Sequence, residues 1–386
     1  MYLDAAATAP MRREALEAAW PYLTGEFGNP SSQHSLGERA AAGLRAARRQ
    51  VAGVLGCRAS EVAFTSGGTE GANLAIKGLA LANPRGRHLV TAAIEHEAVL
   101  ESVDYLRRLH GFEVSFVDVT GTGVVTPEAL AAVLREDTTL VSVALANNEI
   151  GTVQDLAALA EVAHRVGALV HTDAVQAAGW LDVDVRALGV DALSISGHKV
   201  GAGKGIGAVY LRGRLPVEPV LHGGGQERER RSGTENVAGA VALGAALQLV
   251  AAERAERADR LAAARDGFIA RVRELVPTAV LTGPEPGAAG GAQKRLPNHA
   301  SFCFPDTSGE AVLLELERLG VTASSGSACA VGSDEPSHVL TALGIAAEVA
   351  QTSVRFTFPS SITLEQGRAA AQAVISAAES LASSFA

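Results

Sequence analysis

The stretch from residue 168 to residue 211, ALVHTDAVQAAGWLDVDVRALGVDALSISGHKVGAGKGIGAVYL, decides the fold class. Its three short apolar runs are Ala168–His171, Ala192–Ile195 and Ala208–Leu211. Runs of this length, apolar at nearly every position and bounded by turn residues, are typical of strands that are buried on both faces of a sheet. The first run leads into Asp173 and the second leads to Lys199, so each of these charged residues follows the carboxyl end of a predicted strand.

Working outward, similar apolar runs precede this stretch, and segments with helical periodicity separate them. The predicted strands there are Leu89–Ile94, Glu113–Val117 and Leu140–Ala144, and the predicted helices include Pro127–Leu134 and Asp155–Val166. Strands that alternate with helices in this way predict an α/β fold with a mostly parallel sheet covered on both faces.

The pattern changes after residue 236. A long alanine-rich helix is predicted from about Val237 to Val272, followed by a loop rich in Gly, Pro and Ala over Thr282–Asn298. Shorter strands and helices then follow to the end of the chain, among them a predicted short strand over Val321–Ser324. We therefore expect one large α/β domain and one small α+β domain, which suits the chain length.

The composition restricts the possible functions. The chain has 386 residues, of which 47% are hydrophobic, and a net charge of −9, which argues against a protein that holds nucleic acid by phosphate contacts. We see no N-terminal signal sequence and no apolar run of about 18 residues, so no membrane span is expected. Three widely spaced cysteines indicate neither a disulfide framework nor a CxxC metal site. We expect a cytoplasmic protein.

Lysine is scarce, and one lysine stands in a favourable place. Only Lys77, Lys199, Lys204 and Lys294 occur. An enzyme that forms a Schiff base needs a lysine beside its cofactor, and open α/β sheets bind ligands at the carboxyl ends of their strands. Asp173 could pair with a protonated pyridine nitrogen, and Gln176 could donate to a ring hydroxyl. The structural alternatives are a surface lysine and a carboxylate that caps a helix.

Of two glycine-rich segments, one is a candidate phosphate site. Ser66–Glu70 (SGGTE) follows a strand-like run and would place backbone N–H groups and hydroxyls at a helix start, where phosphate binds well. Ser196 and His198 could add side-chain donors. The segment Gly201–Gly205 (GAGKG) matches neither the P-loop nor the dinucleotide pattern, so we predict a tight turn beside Lys199.

Several of these stretches together resemble a known family, and the resemblance runs from residue 2 to beyond residue 355. The stretches are Ser66–Glu70, Glu95–His96, Asn147–Gly151, His171–Gln176, Ser196–Lys199, His222–Gly225, Arg231–Thr234 and Ser324–Cys329. In this order they are similar to the cysteine desulfurases, the NifS/IscS-like group in the class-V aminotransferase branch of the fold-type-I pyridoxal-phosphate enzymes. Each motif alone is weak, whereas the ordered set is specific.

The resemblance implies pyridoxal 5′-phosphate as cofactor and a role for each matching residue. Lys199 would form the Schiff base, Asp173 would pair with the pyridine nitrogen and Gln176 would contact the ring hydroxyl. His96 would stack on the ring and assist proton transfer, although a lone His at a strand end is more often a capped surface residue. Gly68, Thr69, Ser196 and His198 would hold the phosphate, with Thr234 donated by the second subunit of a homodimer.

The resemblance also implies a substrate site and a nucleophile. Asn148 and Arg355 would bind the carboxylate of L-cysteine, since a guanidinium meets a carboxylate with two parallel hydrogen bonds. Cys329 lies in a run of small residues, Ser324–Ala330, which is typical of a loop that leaves a thiol exposed. By contrast, Cys303 alternates within an apolar strand and Cys57 follows a helix-end glycine, so both are expected to be structural.

The implied fold has a mostly parallel seven-stranded sheet. The implied domains are an N-terminal segment 1–14 that packs with the small domain, a large domain 15–255 and a small domain 256–386. The implied reaction converts L-cysteine to L-alanine and leaves a persulfide on Cys329 for a sulfur-acceptor protein. Iron–sulfur cluster assembly, tRNA thiolation and DNA sulfur modification are possible destinations. A selenocysteine lyase, an aminotransferase or lyase on the same scaffold, and a non-enzymatic binding protein remain as alternatives.

Overall fold

The computed structural model of the protein describes residues 1–83, 85–287, 294–305, 307–326 and 335–384. Its strands are β1 (Val62–Thr65), β2 (His88–Ala92), β3 (Glu113–Val117), β4 (Thr138–Ser142), β5 (Thr152–Val153), β6 (Leu169–Asp173), β7 (Ala192–Ser196), β8 (Gly207–Leu211), β9 (Val280–Leu281), β10 (Lys294–Arg295), β11 (His299–Cys303) and β12 (Ser353–Thr357). Its α-helices are α1 (Arg13–Thr24), α2 (Ser35–Val54), α3 (Gly68–Ala82), α4 (Glu97–His110), α5 (Pro127–Val133), α6 (Leu156–Arg165), α7 (Val185–Leu188), α8 (Gly197–Val200), α9 (Val237–Leu275), α10 (Gly309–Arg318), α11 (His338–Ala342), α12 (Ala347–Ala350) and α13 (Leu364–Ser384).

The large sheet has seven strands in the order β1-β8-β7-β6-β4-β2-β3. Neighbouring strands from β7 to β3 are parallel, and β8 is antiparallel to both β7 and β1. All residues of β4, β7 and β8 are buried, and these strands contain only apolar, small or hydroxyl-bearing residues. The predicted α/β fold with a mostly parallel seven-stranded sheet is confirmed.

Strand direction decides where a ligand site can form. Because β8 is antiparallel to both of its neighbours, β1 points the same way as β7, β6, β4 and β2. The carboxyl ends of these five strands therefore share one edge of the sheet. Ligand sites in open α/β sheets form at this kind of edge.

A second, smaller sheet has the order β12-β11-β9 and is antiparallel throughout. Its core is a group of aromatic rings around Phe268, whose centroid lies 5.1 Å from that of Phe356, 5.4 Å from that of Phe358 and 6.3 Å from that of Phe302. The N-terminal Leu3 is fully buried in the same core. The first residues of the chain are thus tied to its last third.

The N-terminal segment lies beside Val321–Ser324, where the sequence predicted a short strand. That prediction is wrong, because Thr322 and Ser324 each form only an isolated bridge, to Tyr2 and to Arg355 respectively. These are two separate one-residue bridges to different parts of the chain, so they do not form the continuous pairing of a β-strand. The backbone N–H of Leu3 donates to the carbonyl of Thr322 at 2.8 Å, which fixes the segment at this position.

Helix α9 joins the two parts of the chain without a break over its 39 residues. It packs against α1, α2 and α13. In the described part of the chain this helix alone is long and apolar enough to cross a membrane, and half of its most apolar window is buried inside the protein. Since α9 continues through residue 255, the boundaries proposed at residues 14 and 255 stay predictions.

Candidate active site

A cavity of about 510 Å³, called here the active-site cavity, opens at the shared carboxyl edge of the large sheet. Its volume is in the range typical of small-molecule sites. It is lined by ten of the residues predicted from the sequence: Gly68, Thr69, His96, Asn148, Asp173, Gln176, Ser196, His198, Lys199 and Arg355. Parts of the chain nearly 290 residues apart therefore meet in one space.

Lys199 lies on the short helix α8, directly after β7. Its Nζ donates hydrogen bonds to the backbone carbonyls of Ala6 and Ala7, the second at 2.7 Å. After α8 the chain turns back to β8 through Gly201, Gly203 and Gly205, which all have positive φ. The predicted tight turn beside Lys199 is therefore confirmed, and it needs glycine because other residues rarely adopt this conformation.

Asp173 is the last residue of β6, and its carboxyl group is buried in the cavity wall. The backbone N–H of Val175 donates to its Oδ1 at 2.8 Å. Burial raises the pKa of Asp173, while the nearby charge of Lys199 acts to lower it. A buried carboxylate in this position is stabilised when a cation lies beside it. The structure thus brings Asp173 and Lys199 close together in the cavity wall, beside His96.

His96 both caps a helix and faces the cavity. It is the N-cap of α4, and its Nδ1 accepts a hydrogen bond from the backbone N–H of Ala98 at 3.0 Å. A neutral imidazole with Nδ1 as acceptor carries its proton on Nε2. The capping role of His96 was not predicted from the sequence, and the ring also lines the active-site cavity.

A second cavity of about 350 Å³ continues from the first around the N-terminus of α3. The two cavities share Ala7, Gly68, Thr69, Ser196 and His198, and the second also includes Lys204. Backbone N–H groups at a helix start, hydroxyls and a lysine together form a setting for an anion.

Close packing shapes this second cavity. A Cβ atom placed on Gly68 would lie 2.5 Å from Cγ2 of Val175, so no larger residue fits there.

His198, which lines both cavities, is a weak base. Burial lowers the pKa of His198 to about 4, and the neighbouring lysines act in the same direction. Its ring is therefore neutral near pH 7. The Nδ1 atom of His198 lies 3.2 Å from Oγ1 of Thr8.

Arg355 lies on β12 of the small sheet and also lines the active-site cavity. Its side chain is 2% exposed. Nη2 donates to Oδ1 of Asp4 at 2.8 Å, and Nη1 donates to the carbonyls of Asn148 at 3.2 Å and Gly326 at 3.3 Å. The guanidinium joins the N-terminal segment, the loop after β4 and the small sheet.

Two predicted site residues are not part of this arrangement. Thr234 is exposed and lines neither cavity. Cys329 lies outside the residues that the structure describes. The other two cysteines are poor nucleophiles, because burial raises the pKa of Cys57 to about 12 and that of Cys303 to about 11.

Sequence reasoning missed several groups at the site. The carbonyls of Ala6 and Ala7 contact Lys199, and the carbonyl of Ala6 also accepts from Nε2 of Gln176 at 3.0 Å. Backbone carbonyls have no sequence signature, since every residue carries one. Asp4 had a weak signal, as the single acidic residue within the apolar start MYLDAAATAP.

Similarity to known proteins extends over almost the whole chain. The family model for class-V aminotransferases matches residues 1–366. A cysteine desulfurase IscS from Dictyoglomus turgidum is 44% identical over 358 residues, which cover 92% of this chain and 89% of that protein. This chain belongs to the cysteine desulfurase family. The resemblance seen in its motifs is confirmed.

Solved structures of cysteine desulfurase relatives agree with this assignment. A NifS-like protein superposes with a TM-score of 0.89 at 34% identity, covering 97% of this chain and 98% of that one. The structure of SspA in complex with cysteine superposes with a TM-score of 0.78 at 32% identity, covering 93% of this chain and 99% of that one. The class-V aminotransferase and cysteine desulfurase families depend on pyridoxal phosphate.

Proposed function

We propose that this protein is a cysteine desulfurase, which converts L-cysteine to L-alanine and transfers the sulfur to Cys329 as a persulfide. The observation that carries the proposal is the meeting of Lys199, Asp173, His96 and Arg355 in one cavity. Membership of the cysteine desulfurase family supports it, because a relative at 44% identity bears that name.

The residues present fit pyridoxal 5′-phosphate. The buried carboxyl group of Asp173 suits a protonated ring nitrogen. The amine of Lys199 lies near enough for its charge to act on the pKa of Asp173. The second cavity combines the N-terminus of α3 with Ser196, His198 and Lys204, and it suits a phosphate. Gly68, the first residue of α3, lines both cavities and packs too closely on Val175 to carry a side chain.

In this proposal each residue keeps a separate task. When bound, the cofactor supplies an electron sink for the pair left by removal of the substrate α-proton. Lys199 anchors the cofactor through Nζ and takes that proton, and Asp173 holds a proton on the ring nitrogen. Arg355 and Asn148 orient the substrate carboxylate, while His96 assists proton transfer through Nε2 and Gln176 contacts the ring hydroxyl.

The sulfur step uses Cys329. Its thiolate bonds to the substrate sulfur, and the bond from that sulfur to the β-carbon breaks with its electron pair left on the substrate carbons. A proton added at the β-carbon and the return of the α-proton from Lys199 then give alanine. The persulfide then passes to a sulfur-acceptor protein. Iron–sulfur cluster assembly, tRNA thiolation and DNA sulfur modification stay predictions for the destination of the sulfur.

The proposal also includes a homodimer, in which Thr234 would reach the phosphate of the other subunit, and a cytoplasmic location.

The test uses the protein loaded with pyridoxal 5′-phosphate. We expect equal amounts of alanine and, with a reducing agent, sulfide from L-cysteine. Cys329→Ala should lose both products and still change its visible absorption when L-cysteine binds. Cys57→Ala is the matched control and should keep the activity, because that thiol is held protonated.

Other outcomes would point to the alternatives. Keto acid production that survives in Cys329→Ala would indicate an aminotransferase. Turnover of selenocysteine without turnover of L-cysteine would indicate a selenocysteine lyase. Either result would overturn the proposed reaction and leave the cofactor site in place.

A further inference from the structure

The N-terminal segment fixes the arginine that the proposed function assigns to the substrate. The backbone N–H of Thr357 donates to the carbonyl of Leu3 at 2.7 Å, and the backbone N–H of Ala6 donates to Oγ1 of Thr357 at 2.8 Å. These bonds pin residues 3–6 along β12, the strand that carries Arg355. The side chain of Asp4 is 16% exposed and reaches Nη2 of that arginine.

Counting the donors of Arg355 shows which of them remain available. A guanidinium has five N–H donors. The two on Nη1 are matched by the carbonyls of Asn148 and Gly326, and one on Nη2 is taken by Asp4. Among the described residues Nε has no hydrogen-bond partner, although this atom is buried. The remaining donors are therefore Nε–H and the second N–H of Nη2.

Nε–H and the Nη2 N–H that is parallel to it form one edge of the guanidinium, and because Nε has no partner, no described group spans this edge. Such an edge accepts a carboxylate with two hydrogen bonds. A buried N–H without a partner is unfavourable, so a carboxylate that binds here also removes that cost. Because Asp4 and the two carbonyls hold the other donors, the guanidinium cannot rotate to offer a different edge without breaking bonds.

We propose that Asp4 is a positioning residue, which holds Arg355 so that its Nε–Nη2 edge receives the substrate carboxylate. This inference rests on the proposed role of Arg355 in substrate binding. Asp4 has two opposing effects on affinity. Its hydrogen bond orients the guanidinium, while its negative charge repels the second carboxylate that joins the same buried cation.

Two substitutions separate these effects. Asp4→Asn keeps an oxygen that accepts from Nη2 and removes the charge, so we expect the KM for L-cysteine to fall roughly tenfold with little change in kcat. Asp4→Ala removes both, so Arg355 loses its orientation and the KM should rise roughly tenfold. Asp259→Asn changes an exposed carboxylate on α9 and serves as the matched control.

A binding measurement gives a readout besides turnover. The thermal midpoint of each cofactor-loaded variant is recorded against L-alanine, which carries the carboxylate, and against L-alaninamide, which lacks it. L-alanine should bind Asp4→Asn roughly tenfold more tightly than the wild type, and L-alaninamide should show no difference between them. The Asp259→Asn protein should match the wild type with both ligands.

Three outcomes would overturn the inference. Tighter L-alanine binding in Asp4→Ala would show that Asp4 only competes with the substrate. Weaker binding in Asp4→Asn, equal to that in Asp4→Ala, would show that the negative charge itself is needed. Equal L-alanine binding in all variants would mean that Asp4 only stabilises the fold. If wild-type protein makes no alanine from L-cysteine, the proposed function fails, and the L-alanine comparison still tests the role of Asp4.

Discussion

The backbone N–H of Ala98 donates a hydrogen bond to Nδ1 of His96 at 3.0 Å, so one side chain caps α4 and also faces the active-site cavity. The two roles can be separated. His96→Asn supplies a good N-cap and lacks the ring, so we expect a stable protein with alanine production lowered roughly 10²-fold or more. Thermal unfolding and alanine release from L-cysteine check this expectation.

His34 offers a matched control. It caps α2 in the same way, with Nδ1 accepting from the backbone N–H of Gly37 at 3.2 Å, and it lines neither cavity. His34→Asn should therefore keep full activity. An active His96→Asn protein would contradict the proposed catalytic role and leave only the cap.

Lys199 is expected to be indispensable for activity. Lys199→Ala removes the amine that bonds to the carbonyls of Ala6 and Ala7, so the cofactor loses its covalent attachment. Activity should fall roughly 10³-fold or more, and the visible absorption of the lysine-bound cofactor should disappear. Lys294→Ala alters an exposed lysine on β10 and should behave as wild type. A normal absorption spectrum in Lys199→Ala would refute the assignment.

Glu95 makes the stability of the fold depend on pH. Its carboxyl group is buried and accepts from the backbone N–H of Ala144 with both oxygens, at 3.0 and 2.9 Å. Burial raises the pKa of Glu95 to about 8, and the charge of Asp173 acts in the same direction. From about pH 4.5 to about pH 8 the folded protein keeps a proton that the unfolded chain has released, so stability falls as the pH rises.

Glu95→Gln removes this effect. The free energy of unfolding of the variant relative to wild type should increase by up to about 1.4 kcal/mol for each pH unit in that window. Urea unfolding at the two ends of the window measures the difference. Glu101→Gln, an exposed carboxylate on α4, should show no such trend. A pH-independent difference for Glu95→Gln would mean that this carboxyl group is already ionised in the folded protein.

Arg48 and Glu227 form a buried ion pair beneath β1, with exposed side-chain fractions of 8% and 1%. Nη2 of Arg48 donates to Oε1 of Glu227 at 2.6 Å, and the backbone N–H of Phe64 donates to Oε2 at 2.9 Å. Arg48→Met leaves the buried carboxylate without its cation, so we expect a loss of about 3–5 kcal/mol in the free energy of unfolding. Urea denaturation measures this loss.

The double variant Arg48→Met/Glu227→Met should be less destabilised than the single one, since no charge is left unpaired. The exposed pair of Arg13 and Glu17 provides the comparison, and Arg13→Met should cost less than about 1 kcal/mol. Equal losses in the single and double Arg48 variants would show that the pair contributes packing and no charge compensation.

Local patterns fixed the main elements of this protein. The predictions for β7 and β8 differ from the structure by one residue at one end, because fully buried strands carry few strongly polar residues. The edge strand Glu113–Val117 has the predicted bounds, although only Val117 is buried in it. The positions of Lys199 and Asp173 at strand ends followed from the same reading. The family motifs added the roles, and the family membership they suggested is confirmed.

The tertiary structure alone decided which groups surround those residues. Asp4 and Arg355 are 351 positions apart, and the Ala6 carbonyl and Lys199 are 193 apart. No periodicity connects such positions, since their contact depends on how the N-terminal segment packs on β12 and on the edge of the large sheet. Hydrophobic periodicity records burial within one element, whereas hydrogen bonds between distant elements arise only when packing has brought their donors and acceptors together.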